Sequence, residues 1–301
     1  MISSSAFGAS PLLHLSRNSS LHTLRSIQGY FHAAVKPSFF FLARFGKARS
    51  FQKTFVFDDR RRFAVRMSAT AAPQGVEKYD ATQLQFMDQE MCIVVNDRDE
   101  VIGSETKSKC HLNTEIDGRN LLHRAFSVFL FDSQGRLLLQ QRAPEKITFP
   151  LVWSNTCCSH PLYTKEELEE KDFLGVKRAA VRKLEHELGI PAREVPINDL
   201  NVLSRVHYKA PTDHIWGEHE IDYIIFVQKD VSLDLNRNEV NAIRYATEPE
   251  VWDLINDPSH KVSPWFRLIV ERGLLKEWWS DLKQVHTKAD PSVIINFLSS
   301  K

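Results

Sequence analysis

The clearest helical pattern in this chain ends in the segment Arg182-Lys183-Leu184-Glu185-His186-Glu187-Leu188-Gly189-Ile190. Between residues 165 and 188, apolar side chains recur at spacings of three and four and so share one stripe of a helix: Phe173, Val176, Ala180, Leu184 and Leu188. Gly189 suits the position just past a helix end, and Pro191 prevents the helix from continuing. The pattern therefore predicts an amphipathic helix over 165–188.

Apolar runs on both sides of this helix predict strands. Residues 91–95 read as a buried strand, and the segments 125–132 and 136–141, joined by Ser133-Gln134-Gly135, predict a hairpin. Further strands are expected over 202–208 and 221–228, and further helices over 248–256 and 265–282. Strands, then a strand-helix-strand unit, then helices are typical of an α+β domain with a mixed β-sheet core flanked by helices.

The first 66 residues differ in composition from the rest. No Asp or Glu precedes Asp58, serine is frequent, and this segment holds 11 of the 39 Lys and Arg residues but 2 of the 38 Asp and Glu residues. A basic, acid-poor, Ser-rich leader is typical of an organelle transit peptide. We predict a disordered transit peptide over 1–66, a linker over 67–87 and a folded domain over 88–301. Met67 is a candidate alternative start for a cytosolic form.

Charge and hydropathy limit the partners of the folded part. Without the leader the chain carries 28 basic and 36 acidic residues, a net charge of about −8, which argues against nonspecific nucleic-acid binding. The apolar run at 39–43 is far shorter than the roughly 20 residues that cross a bilayer. Four cysteines in so long a chain do not make a disulfide scaffold. We expect a monomer that does not insert into membranes.

Two pairs of polar residues stand two positions apart. In an extended segment, residues i and i+2 face the same side, so Cys158 and His160 can serve one site. Glu218 and Glu220 can likewise face one cavity, while His219 points away. Each pair has a plainer explanation, because a free cysteine is most often a small buried hydrophobe and two glutamates are most often a solvated strand end.

Further candidates are two histidines and four cations. His111 and His123 flank the expected start of a strand, although a lone histidine there is more often a core residue. The cations could bind a diphosphate or form ordinary ion pairs, and they are Lys107, Arg142, Lys146 and Lys183. Lys183 and Glu187 stand four apart on one helix face, where a surface ion pair is the default explanation.

The end of the predicted helix resembles a Nudix box, whose pattern is G-x5-E-x7-R-E-U-x-E-E-x-G-U. The matching positions are Arg182, Leu184, Glu187, Gly189 and Ile190. Other residues replace the pattern's first Gly and three of its Glu positions, and they are Leu168, Leu174, Lys183 and His186. Nudix hydrolases hold magnesium with those carboxylates, so the degraded box does not favour hydrolysis.

From about residue 88 to 270 the chain resembles type I isopentenyl-diphosphate isomerases, which have a Nudix-like fold. The segments that carry the resemblance are Glu105-Thr106-Lys107 with His111, 122–127, 155–161, 217–223 and Ser263-Pro264-Trp265. Plant and animal members are the more similar, notably at Cys157-Cys158 and 216–220. The resemblance implies interconversion of isopentenyl and dimethylallyl diphosphate, and a plant-type leader implies a plastid, with the mitochondrion as second choice.

The resemblance also implies a role for each candidate residue. One divalent ion, zinc or manganese, would be surrounded by His111, His123, His160, Glu218 and Glu220. Glu187 would hold a second ion, Mg²⁺, bridged to the substrate diphosphate. Diphosphate contacts would come from Lys107, Arg142, Lys146 and Lys183. Proton transfer would belong to Cys158 and Glu220, with Tyr208 beside the latter, and Trp265 would shield a carbocation with its π face.

Two other functions compete with this interpretation. A Nudix pyrophosphohydrolase acting on nucleotides would need the dense glutamate cluster that the predicted helix lacks. A structural zinc protein would use Cys157, Cys158 and His160 as ligands, yet Cys92 and Cys110 show no paired spacing that would complete a closed set of four.

Overall fold

The structure is a computed structural model that describes residues 79–298. The predicted transit peptide over 1–66 and residues 67–78 of the predicted linker lie outside this range. Within it, the helices are α1 (Ala81–Gln89), α2 (Lys107–His111), α3 (Asn113–Arg119), α4 (Leu174–Leu188), α5 (Glu248–Asn256), α6 (Pro264–Glu271) and α7 (Leu274–Trp279). The strands are β1 (Met91–Val95), β2 (Val101–Thr106), β3 (His123–Phe131), β4 (Leu137–Arg142), β5 (Trp153–Ser154), β6 (Cys157–Ser159), β7 (Asn201–Pro211), β8 (Gly217–Gln228), β9 (Val240–Ala246) and β10 (Ile294–Asn296).

One mixed sheet contains all these strands, with β3 and β8 parallel at its centre. Strand β7 pairs antiparallel with β8, and both β1 and β6 pair antiparallel with β3 on its other side. Every residue of β3 is buried, because a central strand is covered on both faces. Its side chains alternate: Phe126, Val128 and Leu130 pack towards α4, whereas Phe129 and Phe131 pack towards α6. The predicted α+β fold, a mixed sheet flanked by helices, is confirmed.

The predicted helix over 165–188 is shorter than expected. Helix α4 begins at Leu174, because Asp172 and Phe173 adopt left-handed backbone angles, with φ of 51° and 58°. The preceding segment folds back over the start of α4, and a Cβ atom on Gly175 would lie 2.2 Å from the carbonyl oxygen of Glu167. The close approach requires glycine at this position. The predicted end of the helix at Leu188 is confirmed, with Gly189 in the left-handed conformation that closes it.

Two other predicted elements are divided. The helix expected over 265–282 breaks at Gly273, where φ is 76°, and becomes α6 and α7. The turn at 133–135 is present, but β4 pairs with β3 only at Phe131 and Leu137 and then pairs with β9 along its length. The predicted hairpin is thus a turn between two strands that diverge.

The linker prediction is wrong for its last seven residues, 81–87, which belong to α1. Asp80 caps this helix by accepting hydrogen bonds from the backbone of Thr82 and Gln83. Met87 is buried against Ile147, so α1 belongs to the packed domain. The short polar sequence of α1 carries too weak an apolar stripe to reveal this packing. Among the described residues, no helix is long and apolar enough to cross a membrane.

Candidate active site

Five buried side chains meet at one end of the central strands. One ligand atom of each lies within 4.8 Å of the others, and the residues are His111, His123, His160, Glu218 and Glu220. The strand register explains this: in the parallel pair of β3 and β8, His123 stands opposite Glu220, and Glu218 shares the same face. His219 faces the other side, as the spacing predicted. There its Nε2 lies 3.0 Å from Nε2 of His207.

The donor atoms of this cluster fit a divalent cation. His111 Nδ1 lies 2.6 Å from the carbonyl oxygen of Lys107 and donates to it, so Nε2 keeps a lone pair directed into the cluster. That Nε2 is 2.8 Å from Glu218 Oε2, yet this carboxylate oxygen has no hydrogen-bond partner. Both ring nitrogens of His123 also lack one. Buried polar atoms left unpaired are costly, and a cation among their lone pairs would satisfy them.

The imidazoles of this cluster do not share one protonation state. Their ring centroids lie 4.8 to 4.9 Å apart, so a charge on one opposes a charge on the next. Burial lowers the pKa of His160 well below its ordinary value, and the neighbouring His123 lowers it further. Burial also opposes the charge of His123, but the carboxylate of Glu220, whose Oε1 lies 3.3 Å from Nε2 of His123, outweighs it and raises the pKa to about 9, so an ion would bind His123 by displacing its proton. His160 is therefore neutral and keeps a lone pair for an ion.

Cys158 lies beside this cluster on β6. Its Sγ is 3.1 Å from Asn155 Oδ1, 3.2 Å from Trp265 Nε1 and 3.5 Å from Ser154 Oγ. Burial, with the nearby carboxyl group of Asp222, raises the pKa of the Cys158 thiol to about 12. The thiol therefore keeps its proton at neutral pH.

Cys157 faces the opposite side of β6. Its Sγ is buried in the core towards α4 and donates to Glu187 Oε2 at 3.5 Å. Neither Cys157 nor Cys158 contributes to the five-residue cluster, which removes the basis for a Cys-based zinc site among the described residues. The alternation predicted from the sequence is confirmed.

Glu220 joins the five-residue cluster to the pocket that Cys158 lines. Its Oε1 lies 2.8 Å from Nε2 of His160, and its Oε2 accepts a hydrogen bond of 2.5 Å from the hydroxyl group of Tyr208. Burial acts to raise the pKa of Glu220, but His123 and Tyr208 lower it below its ordinary value. The ring centroid of Tyr208 lies 5.9 Å from that of Trp265.

The pocket is lined by the predicted proton-transfer residues and by three of the predicted cations. It is small, with a cavity volume of about 30 Å³, close to the space of one water molecule. Two lysines at its edge are paired with carboxylates: Lys107 Nζ lies 2.6 Å from Glu90 Oε2, and Lys146 Nζ lies 2.5 Å from Glu239 Oε2. Arg142 donates to the carbonyl oxygens of Thr148 and Phe149 and lies 5.9 Å from the ring centroid of Trp265.

The remaining predicted residues are Lys183 and Glu187, which both lie on α4. Lys183 Nζ is 3.1 Å from Glu187 Oε1, and both side chains are buried. Burial disfavours the charge on Lys183, but Glu187, Glu239 and Glu90 raise its pKa above the ordinary value. Neither residue lines the pocket described above. Because both side chains are buried, Lys183 and Glu187 are not the exposed surface ion pair that their spacing suggested by default.

Sequence reasoning missed several residues that shape the site. Glu90 and Glu239 are the counter-ions of two lysines, and Ser127, Ser154 and Asn155 surround the thiol of Cys158. Asn155 lay inside a segment that carried the family resemblance, which was a signal for it. Glu90 and Glu239 carried no such signal, since single glutamates are common on any surface.

Comparisons with known proteins identify the family of this chain. The NUDIX domain matches residues 121–266. The chain is 52% identical over 219 residues to "Isopentenyl-diphosphate Delta-isomerase 1" of Bos taurus, over 72% of this chain and 95% of that protein. It is 51% identical over 210 residues to the chloroplastic "Isopentenyl-diphosphate Delta-isomerase I" of Arabidopsis thaliana, covering 68% and 72%, and 49% identical over 218 residues to that of Camptotheca acuminata, covering 70% and 92%. The chain therefore belongs to the isopentenyl-diphosphate delta-isomerase family.

Proposed function

We propose that this protein interconverts isopentenyl diphosphate and dimethylallyl diphosphate in isoprenoid biosynthesis by moving a carbon–carbon double bond. One observation carries the proposal beyond the family relationship. Cys158 on β6 and Glu220 on β8 are acid/base groups on the two strands that flank β3, and both face one buried pocket. Double-bond transposition needs one group to add a proton and another to remove one.

The resting protonation states of the two groups are complementary. The thiol of Cys158 carries a proton, whereas the pKa of Glu220 is lowered, so this carboxylate is ionised. Protonation of the terminal carbon of the alkene leaves a tertiary carbocation, and loss of a proton from the carbon on the other side gives the isomer. The reverse reaction uses the two groups in the opposite order. The Tyr208 hydroxyl group holds one oxygen of Glu220 and orients it.

Trp265 and the small pocket would protect the cation. An indole face attracts a desolvated cation by about 2 kcal/mol. The Trp265 side chain is 2% exposed, and the small cavity leaves little space for water that would capture the cation. Substrate entry therefore requires the walls of the pocket to move apart.

The metals and the diphosphate would share the rest of the site. Three imidazoles with two carboxylates suit zinc or manganese better than magnesium. An ion bound there would supply positive charge that fixes the Glu220 carboxylate and lowers its proton affinity. Glu187 would hold Mg²⁺ against the substrate. Diphosphate contacts would come from Lys107, Arg142, Lys146 and Lys183.

We further propose that residues 1–66 direct the protein to the plastid, with the mitochondrion as the alternative, and that a start at Met67 would give a cytosolic form. Chloroplastic relatives from Arabidopsis thaliana and Cannabis sativa support a plastid address. The folded domain would begin at α1 and act as a monomer.

The deciding experiment is a direct assay of the isomer. The purified protein is incubated with isopentenyl diphosphate and Mg²⁺, and dimethylallyl diphosphate is measured together with released phosphate and pyrophosphate. Isomer formation without phosphorus release is expected. Phosphate or pyrophosphate release without isomer would instead identify a Nudix pyrophosphohydrolase and overturn the proposal.

A further inference from the structure

Asn155 is fully buried in the turn between β5 and β6, and its orientation is forced by its neighbours. Its side-chain nitrogen donates to the backbone carbonyl oxygens of Val128 at 3.0 Å and Cys157 at 3.3 Å. A carbonyl oxygen can only accept, so the nitrogen must lie on that side. The amide oxygen, Oδ1, consequently faces Cys158 and Trp265, which line the pocket.

That oxygen meets the two groups closest to the proposed chemistry. Cys158 Sγ and Trp265 Nε1 each lie 3.1 Å from Asn155 Oδ1, and they lie 3.2 Å from each other. An amide oxygen has no hydrogen to give, so both the thiol and the indole must act as donors towards it. The Ser154 hydroxyl group is a further neighbour of this oxygen, at 3.1 Å.

We propose that Asn155 is a positioning residue, which fixes the direction of the Cys158 S–H bond and the edge of the Trp265 ring relative to each other. This inference rests on the proposed function, because it assigns Asn155 no chemistry apart from the two groups it holds. A thiol without this acceptor would rotate about its Cβ–Sγ bond, so the direction of its S–H bond would no longer be fixed. An indole without it would lose one of the two contacts that orient its N–H edge.

Infrared spectroscopy of the full chain tests the geometry without using activity. The S–H stretch of Cys158 is obtained as the difference between wild type and Cys158→Ala, and Cys157→Ala removes the other nearby thiol. A thiol that donates to an amide oxygen absorbs at lower frequency than a free thiol. We expect the low-frequency position in wild type and a shift towards the free position in Asn155→Leu, which keeps the branched arrangement of heavy atoms but has no acceptor; the remaining acceptor, Ser154 Oγ, lies farther from the thiol, at 3.5 Å.

Thr156→Val is the matched control. Thr156 is equally buried in the same turn, donates to the Leu138 carbonyl oxygen at 2.6 Å and accepts from the Leu130 amide at 2.9 Å, but makes no hydrogen bond to Cys158 or Trp265. A merely structural role for the turn predicts that both variants shift the band. Positioning by Asn155 predicts that only Asn155→Leu does.

Kinetics provide the second readout. Asn155→Leu should lower kcat by about 10²-fold, as expected for a misplaced reacting group, with little change in KM. Thr156→Val should leave kcat near that of wild type. A wild-type Cys158 band at the free-thiol position overturns the inference even if Asn155→Leu does not fold, and so does an unmoved band in a folded Asn155→Leu variant. Turnover retained by Cys158→Ala would instead overturn the role of Cys158 as a proton-transfer group, and a wild type that forms no isomer would overturn the proposed function, whatever the spectra show.

Discussion

Cys157 and Cys158 are neighbours in the chain, but their thiols lie on opposite faces of β6. The Cys157 thiol points into the core beneath α4 and contacts Glu187, whereas the Cys158 thiol lines the pocket beside Trp265. Successive side chains of an extended segment point to opposite faces, and this places the two thiols on opposite sides of β6. Two chemically identical residues therefore provide an internal comparison at the site.

Cys158→Ala should abolish turnover, because a methyl group cannot carry a proton. Losses of at least roughly 10² to 10⁴-fold are typical when an acid/base group is removed. Cys157→Ala should cost some stability but leave kcat near that of wild type. The test is kcat for both variants, with circular dichroism to confirm the fold. Equal loss of turnover in the two folded variants would contradict the assignment.

Glu187→Gln should weaken the binding of Mg²⁺ and substrate but leave the ion of the His/Glu cluster in place. Glu187 is buried against Lys183 and lies outside that cluster, so losing its charge removes one proposed magnesium ligand only. The measurements are KM, the Mg²⁺ dependence of turnover, and elemental analysis for zinc or manganese. Glu185→Gln, on the exposed face of the same helix, is the control. Loss of the inner ion from Glu187→Gln would show that the two sites are wrongly divided.

His123→Gln should lose the bound inner ion, and His219→Gln should retain it. The two histidines lie close together, but the side chain of His123 enters the cluster and that of His219 contacts His207 on the other face. Removing a ligand should cost more affinity than the roughly 10 to 100-fold lost with an outer partner. The measurement is the metal content per chain of the two variants and the wild type. Full metal content in His123→Gln would contradict the proposed ligand set.

Glu90→Gln should destabilise the fold at neutral pH but not in strong acid. Burial opposes the charge, yet Lys107 and Lys183 hold the pKa of Glu90 at about 2, against an ordinary 4.5. A lowered pKa stabilises the fold above pH 4.5 and loses this effect as the pH falls towards 2. The shift corresponds to roughly 3 kcal/mol.

The check is the free energy of unfolding of wild type and Glu90→Gln, measured from pH 7 downwards. The gap between them should narrow below pH 4.5, the ordinary pKa of the carboxyl group. Glu100→Gln, which breaks an exposed pair with Arg98, should cause no comparable change. A gap that stays constant with pH would mean that Glu90 acts by packing alone.

Deletion of residues 1–66 should leave catalysis unchanged and abolish organelle import. Deletion of residues 1–89 should destabilise the protein as well, because α1 is then lost. Within α1, Gln83 donates to Glu239 at 3.1 Å, and Glu239 pairs with Lys146 at the pocket. Activity, melting temperature and import of a fluorescent fusion distinguish the two deletions. An insoluble or inactive 67–301 chain would place the leader within the fold.

The local pattern of apolar and polar residues was sufficient to predict part of this structure. β1 and α5 begin and end where the apolar runs predicted, because burial and helix capping act over a few residues. The pairing of β4 with β9 and the ion pair between Lys146 and Glu239, 93 residues apart, depend on tertiary folding and leave no local trace. Of the site, spacing alone suggested Cys158 with His160 and Glu218 with Glu220, while family resemblance assigned the roles of these and the other residues.

The parallel register of β3 and β8 has a consequence for folding. A slip of one residue would turn Glu218 and Glu220 to the opposite face and bring His219 into the cluster instead. A misaligned chain would then offer the ion four imidazoles and no carboxylate, so an ion that prefers the mixed set of ligands would stabilise correctly paired chains more. The proposed metal site would thus favour the correct alignment of β3 and β8, and refolding with the ion present should give fewer misfolded chains than refolding with a chelator.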